Sequence, residues 1–140
     1  VPVVSTDSPD WVQQIRDIAH GRQIPVALDP VGGTIAGQLI SVLSSGGTLI
    51  SYGAMAEENI PLDAANLLGG EIGIRGLSIG RWLSSVSPER RASDIAGVTA
   101  IASTQTDQFD VAGTYALDQI TDAVQHVGRP GKTGTVIVRT

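Results

Sequence analysis

Short apolar runs alternate along this 140-residue chain with stretches of helical period. Pro25 to Leu28 is a short apolar run, as expected of a strand buried on both faces. Asp29-Pro-Val-Gly-Gly33 reads as a tight loop. Thr34 is a candidate N-cap for a helix whose broad apolar side carries Ile35, Leu39, Ile40, Val42 and Leu43, with Gly46-Gly47 as its stop. Thr48 to Tyr52 is a second β-rich run. Strand, helix and strand make a right-handed βαβ unit. Ligands of open parallel sheets lie beyond the carboxyl ends of the strands, here Asp29 to Gly33 and Tyr52 to Met55.

The flanking patterns follow the same logic. Val1 to Ser5 reads as a short strand. Ser8 and Pro9 open a helix to about His20, with Trp11, Val12, Ile15, Ile18 and Ala19 as its apolar stripe and Gly21 as its end. Ile60-Pro61-Leu62 suits an edge piece, and Asp63 caps a helical turn closed by Gly69-Gly70. Glu71 to Ile79 alternates as a strand, whose Gly73 and Gly76 suggest close approach of a backbone or ligand. Arg81 to Ser85 is a turn or helix start. Ser87, Pro88 and Glu89 open a helix to about Ala102 with Ala92, Ile95, Ala96 and Thr99 on one stripe. Val111 to Ala116 is a strand. Asp118 caps a short helix whose apolar face is Ile120, Ala123, Val124 and Val127. Gly128 to Gly131 is a loop, and Thr135 to Val138 a last strand. The fold class is α/β, half of a doubly wound parallel sheet.

Composition narrows the partners. The net charge is −5 without a Lys or Arg cluster, which argues against nucleic acid. No apolar run approaches a membrane span, so no membrane partner is expected, and the default location is cytoplasmic. With no cysteine there is neither a disulfide nor a thiolate ligand. His20 and His126 sit near helix ends and read as caps or surface groups, so no metal site is expected. The charged fraction of 16% and mean hydropathy of +0.14 fit either an aliphatic α/β core or a surface that something else covers. A first residue Val rather than Met reads as a processed chain or one cut from something longer.

Familiar catalytic motifs are missing. Gly131-Lys132-Thr133 looks like the end of a P-loop, but the position where that motif needs its first glycine is His126, and a helix precedes while a strand follows. No G-x-G-x-x-G stands between a strand and a helix, and no serine lies in G-x-S-x-G. A response-regulator-like module would need an acidic metal cluster that the chain lacks. No catalytic residue can be picked from the residues alone.

The ordered set Ala27-Leu-Asp-Pro-Val-Gly-Gly33, Gly46-Gly-Thr-Leu-Ile-Ser-Tyr-Gly-Ala-Met55, Ile74-Arg-Gly-Leu-Ser-Ile-Gly-Arg-Trp82, Thr114-Tyr-Ala-Leu117 and Gly131-Lys-Thr-Gly-Thr-Val-Ile-Val138 resembles the medium-chain dehydrogenase/reductase superfamily. The nearest branch is the zinc-free quinone oxidoreductases and 2-enoyl thioester reductases. The resemblance implies the C-terminal portion of such an enzyme. Residues 1–80 would be part of a Rossmann dinucleotide-binding domain, and residues 81–140 a segment returning to a GroES-like catalytic domain. The glycine fingerprint and the catalytic tyrosine would lie upstream. The implied cofactor is NADPH, its nicotinamide side lined by Tyr52, Gly53, Ala54 and Met55, by Leu77, Ser78 and Ile79, and approached by Val31 and Gly32. A half-buried strand-end aromatic is the alternative for Tyr52. The substrate would be a small molecule, an enoyl thioester or a quinone. A homodimer would form through the strand near Glu71 to Gly76. The family's lysine at the start of the last strand is replaced by Thr135, and Lys132 is out of register with it. A non-catalytic fragment or assembly module is the competing reading.

Overall fold

The computed structural model describes residues 2–105, 109–129 and 131–140. The chain divides into two compact units, Val1–Ser84 and Ser85–Thr140, each described by itself.

The first unit holds α1 (Trp11–Ala19), β1 (Val26–Asp29), α2 (Gly33–Ile40), β2 (Thr48–Ser51), α3 (Ala64–Gly70), β3 (Gly73–Gly76) and most of α4 (Ile79–Ser85). Its sheet has the order β1-β2-β3 and is parallel throughout. Asp29 stands opposite Ser51 and Ser51 opposite Gly76, so the three strands end level. Side chains alternate across a strand, which puts Ala27, Leu49 and Ile74 on one face. Ala36 and Ile40 of α2 close over Leu49 there, with Ala27, Leu39, Leu43, Ile60, Leu67 and Ile72 packed around them. Arg16 ties α1 to the end of α2, its Nη2 donating to the Ser41 carbonyl at 3.1 Å.

The opposite face corrects the expectation of a strand buried on both sides. Val26 is 48% and Leu28 62% exposed. The apolar run ahead of Asp29 therefore buries one row only.

Element ends differ from the sequence reading for local reasons. Residues 2–5 form no strand; Ser5 instead opens a turn, its carbonyl accepting from Ser8 N–H at 3.2 Å and its Oγ from Asp7 N–H at 3.3 Å, and Val1 lies outside the described residues. Ser8 does not cap α1. Its hydroxyl donates to Asp10 Oδ1 at 2.5 Å, its carbonyl accepts from Trp11 N–H, and the helix begins after Asp10. His20, at φ 48°, takes the left-handed end ahead of Gly21. Thr34 lies inside α2, because Gly32, at φ 79° and ψ −156°, takes the N-cap in a conformation that favours glycine. Past Ile40, Val42 and Leu43 bond back three residues, so α2 has ended before Gly46-Gly47. Residues 60–62 are not a strand. Asp63 caps α3 as expected, its Oδ1 accepting from Ala65 N–H at 2.9 Å, but Gly69 and Gly70 stay helical and Glu71 takes the left-handed end.

In the second unit, β4 (Val111–Ala116) and β5 (Thr135–Arg139) pair in parallel around α6 (Ile120–Val127), which follows a short 3₁₀ turn, Leu117–Gln119. Asp118 is not the cap, since the turn intervenes and Gln119 Oε1 accepts the Ala116 N–H at 3.1 Å. Of the expected apolar face of α6 only Ala123 is buried, while Ile120, Val124 and Val127 are exposed. Pro130, in the expected Gly128 to Gly131 loop, lies outside the described residues.

Helix α5 (Pro88–Thr104) starts as read, Ser87 Oγ accepting from Arg90 N–H at 3.2 Å. Its stripe does not form a core, for Ala92, Ile95, Ala96 and Thr99 are all exposed. The Glu89 carboxyl is held below its ordinary value, first by its own backbone N–H and then by the Ser87 side chain. A carboxyl depressed in the folded state supports the fold above its unfolded value and withdraws that support as pH falls through the folded one. Acidification below the ordinary 4.5 should therefore loosen the first turn of α5 before the rest, read as faster amide exchange at Arg90. Ser87→Ala should fray the same turn at neutral pH, at a cost of about 1 kcal/mol to the helix.

Candidate functional site

Three loops leave the level carboxyl ends of β1, β2 and β3, and backbone bonds join them. Tyr52 N–H donates to the Asp29 carbonyl at 2.9 Å, Leu77 N–H to the Ser51 carbonyl at 2.8 Å, and Ala56 N–H to the Val31 carbonyl at 2.8 Å. Val31, Gly32, Tyr52, Gly53, Ala54, Met55, Leu77, Ser78 and Ile79 thus all follow one edge of one sheet.

They differ in what they offer. Tyr52 is 52% exposed, Met55 78%, Leu77 55% and Ile79 69%, large side chains left open along these loops. Gly32 is buried, and a Cβ there would lie 3.7 Å from the Ala54 Cα. Gly53 faces the chain itself rather than open space. A Cβ on it would strike the Pro30 carbonyl, with the Pro30 carbonyl carbon 2.9 Å and Cα 3.0 Å away. The glycine is required by the packing of loop on loop.

The strand expected to reach Ile79 stops at Gly76. Ser78 Oγ accepts from Arg81 N–H at 3.3 Å and the Ser78 carbonyl from Trp82 N–H at 2.9 Å, so Ser78 opens α4 and Ile79 is its first residue. Of the two strand glycines, Gly73 has the Thr48 side chain 3.1 Å from its would-be Cβ, whereas nothing lies within 4 Å of Gly76.

Asp29 is the residue the sequence reading passed over. Its side chain is fully buried beneath the start of α2. Oδ1 accepts from Val31 N–H at 2.9 Å and Gly32 N–H at 3.0 Å, and Oδ2 from Gly32 N–H at 3.1 Å. A carboxylate withdrawn from water needs such partners, and these two amides set the path of the loop. The signal was an Asp at a strand end followed within four residues by Gly-Gly, a pattern suited to an Asx turn.

In the second unit Tyr115 Oη and His126 Nδ1 lie 2.9 Å apart, a contact that ties α6 to β4. Lys132 donates its Nζ to the Gly134 carbonyl, and Thr135 opens β5 as read. A helix precedes and a strand follows Gly131 to Thr133, the reverse of a P-loop.

The model of the family described as zinc-binding dehydrogenase matches residues 2–96. The metal in that name finds no ligand set here: the chain has no cysteine, and the described residues bring no three of His, Cys, Asp and Glu together. The mitochondrial enoyl-[acyl-carrier-protein] reductase of Dictyostelium discoideum is 32% identical over 86 residues, 61% of this chain and 24% of that protein. The chain thus spans about a quarter of that relative, whose mitochondrial name lends nothing to a cytoplasmic location. Among solved structures, a Bacillus thuringiensis protein designated NADPH:quinone reductase superposes with a TM-score of 0.75 at 20% identity, over 94% of this chain and 40% of that one. CurA of Vibrio vulnificus, solved with NADPH, gives 0.70 at 18% over 98% and 42%. Among the described residues no helix is long and apolar enough to cross a membrane. With a parallel α/β sheet in common with these structures and the family model spanning more than half its length, the chain belongs to the zinc-binding dehydrogenase family and corresponds to its C-terminal, Rossmann-like part.

Proposed function

We propose that this chain supplies the nicotinamide side of an NADPH-dependent oxidoreductase that reduces an activated double bond, in an enoyl thioester or a quinone. The observation that carries this reading is the level ending of three parallel strands, which sets the exposed side chains of Tyr52, Met55, Leu77 and Ile79 after one sheet edge, with Gly32 and Ala54 in the same loops. A flat ring needs exposed apolar side chains and small residues beside them, which supports the reading. Bound NADPH would supply the hydride. The residues of this chain would hold the ring and keep water from one side of it. No group here is assigned to proton transfer. The exposed edge strand β3 suits pairing with its copy in a second subunit, as a homodimer.

The open row of Val26 and Leu28 favours a second reading, in which the chain is an assembly module without turnover of its own. Titration with NADPH separates the two. Saturable binding is expected, weakened about tenfold by Leu77→Asp with the unfolding midpoint unchanged, because Leu77 fixes the loop through its backbone while its side chain is exposed. No saturation at millimolar NADPH would leave only the assembly reading. Oxidation of NADPH on adding an enoyl thioester or a quinone would exclude it.

A further inference from the structure

Sulfur occurs once in this chain, for Met55 is its single methionine and there is no cysteine. Met55 is also the most open of the four large side chains that follow the sheet edge, at 78% exposure. A peroxide that reaches the chain meets no thiol and one largely uncovered thioether. The backbone around that thioether is held although the side chain is not. Before it, Tyr52 N–H donates to the Asp29 carbonyl and Gly53 packs on Pro30; after it, Ala56 N–H donates to the Val31 carbonyl. Met55 belongs neither to the core around Leu49 nor to the side chains packed against it. Methionine oxidation disrupts a protein where the sulfur lies in a packed interior. Here an added oxygen alters one side chain and breaks no contact of the fold.

We propose that Met55 is a peroxide-reactive modification site, and that its oxidation to the sulfoxide loosens cofactor binding while the fold stays intact. The consequence for the cofactor rests on the proposed function; the reactivity of the sulfur does not. The sulfur lone pair attacks one oxygen of a hydroperoxide, the O–O bond breaks and an S–O bond forms. With hydrogen peroxide the second oxygen leaves as water, and the two electrons lost by sulfur reduce the peroxide. Thiol-dependent sulfoxide reductases reverse the step, two thiols supplying two electrons and closing a disulfide while the oxygen leaves as water. The sulfoxide oxygen is a strong acceptor held by water. Laid against a flat ring it loses that water, and the Leu77 and Ile79 side chains along the same edge carry no donor to replace it.

The test treats this chain with millimolar hydrogen peroxide, removes the peroxide, and compares treated with untreated protein. Peptide mass should show one oxygen gained at Met55, at a rate within about threefold of a short methionine peptide. The urea-unfolding midpoint should not move. NADPH, titrated by its own fluorescence, should bind about tenfold more weakly to the treated chain. In Met55→Leu, treated and untreated portions should bind NADPH alike, and Met55→Gln should bind as weakly as the oxidised chain without treatment. Slow or absent oxidation at Met55 would overturn the proposal, as would a lowered unfolding midpoint after treatment. Equal NADPH affinity in treated and untreated protein would overturn it too, and so would a Met55→Leu protein that peroxide still weakens. An untreated chain that does not bind NADPH would instead sink the proposed function, and the regulatory consequence with it. Peptide mass and the unfolding midpoint would then still decide whether Met55 is the modification site.

Discussion

Leu49→Ala is expected to destabilise the first unit by about 2–5 kcal/mol, the range for emptying a fully buried leucine site. Leu49 is fully buried in the middle strand, under Ala36 and Ile40 of α2, and six further apolar side chains are only partly buried around it. A domain of this size holds about 5–15 kcal/mol in all, so the loss is a large share. The midpoint of urea unfolding, followed by tryptophan fluorescence, would read it, and Trp11, nearly buried in α1, reports from the same unit. Leu28→Ala is the paired control. Leu28 sits one residue before Asp29 in β1, but on the other face and 62% exposed, so its truncation should cost about 0.5 kcal/mol or less. Equal losses at the two positions would mean that the open face is covered in solution.

The contrast between these leucines shows where sequence reasoning reached and where it stopped. Periodicity placed β1 and β2 within about a residue, because β-branched and aliphatic runs bounded by Gly and Pro leave little choice. It could not say which faces are covered, since a continuous apolar run looks the same with one helix layer or two. The Ser87-Pro88-Glu89 signature gave the start of α5, where every local preference agrees. Ser8-Pro9 carries nearly the same signature, yet Asp10 competes for the Ser8 hydroxyl and the helix starts later. The Asp10 carboxyl is lowered by that contact with Ser8 and then by Gln14, which fits a side-chain turn ahead of the helix. Val3 and Val4 have strand composition but join no strand among the described residues, and strand composition does not by itself make a ladder.

The site was legible as loops and not as chemistry. The parallel βαβ pattern located the carboxyl edge, and thereby Val31 to Gly33 and Tyr52 to Met55. The role of Asp29 depends on where two amides point, and no spacing rule carries that direction. Its buried carboxylate accepts from Val31 N–H and Gly32 N–H and so sets the path of a loop that looks phosphate-ready in composition. Ser78 is a smaller instance: a strand-like alternation runs through it, but a serine three residues before Arg81 is also a helix opener, and the helix prevails.

Gly53→Ala carries the other large effect. Glycine at this position resembles a concession to a ligand, but the added methyl would meet the Pro30 carbonyl carbon at 2.9 Å and its Cα at 3.0 Å. Backbone cannot swing aside as a side-chain tip can, so the β1 and β2 loops must separate, at a cost of about 1–3 kcal/mol. Gly76→Ala, level with Ser51 at the end of the neighbouring strand, meets nothing within 4 Å. With no clash to relieve and a less mobile unfolded chain, it should change stability by less than about 1 kcal/mol, in either direction. The two unfolding midpoints, measured side by side, test the packing of the loops without any cofactor. A Gly53→Ala protein as stable as Gly76→Ala would show that the two loops do not touch in solution, and the glycine would then be free to serve a ligand. The expected loss would instead mean that weaker NADPH binding by any bulkier residue at this position reflects a displaced loop, so the exposed side chain of Leu77 is the cleaner probe of the site.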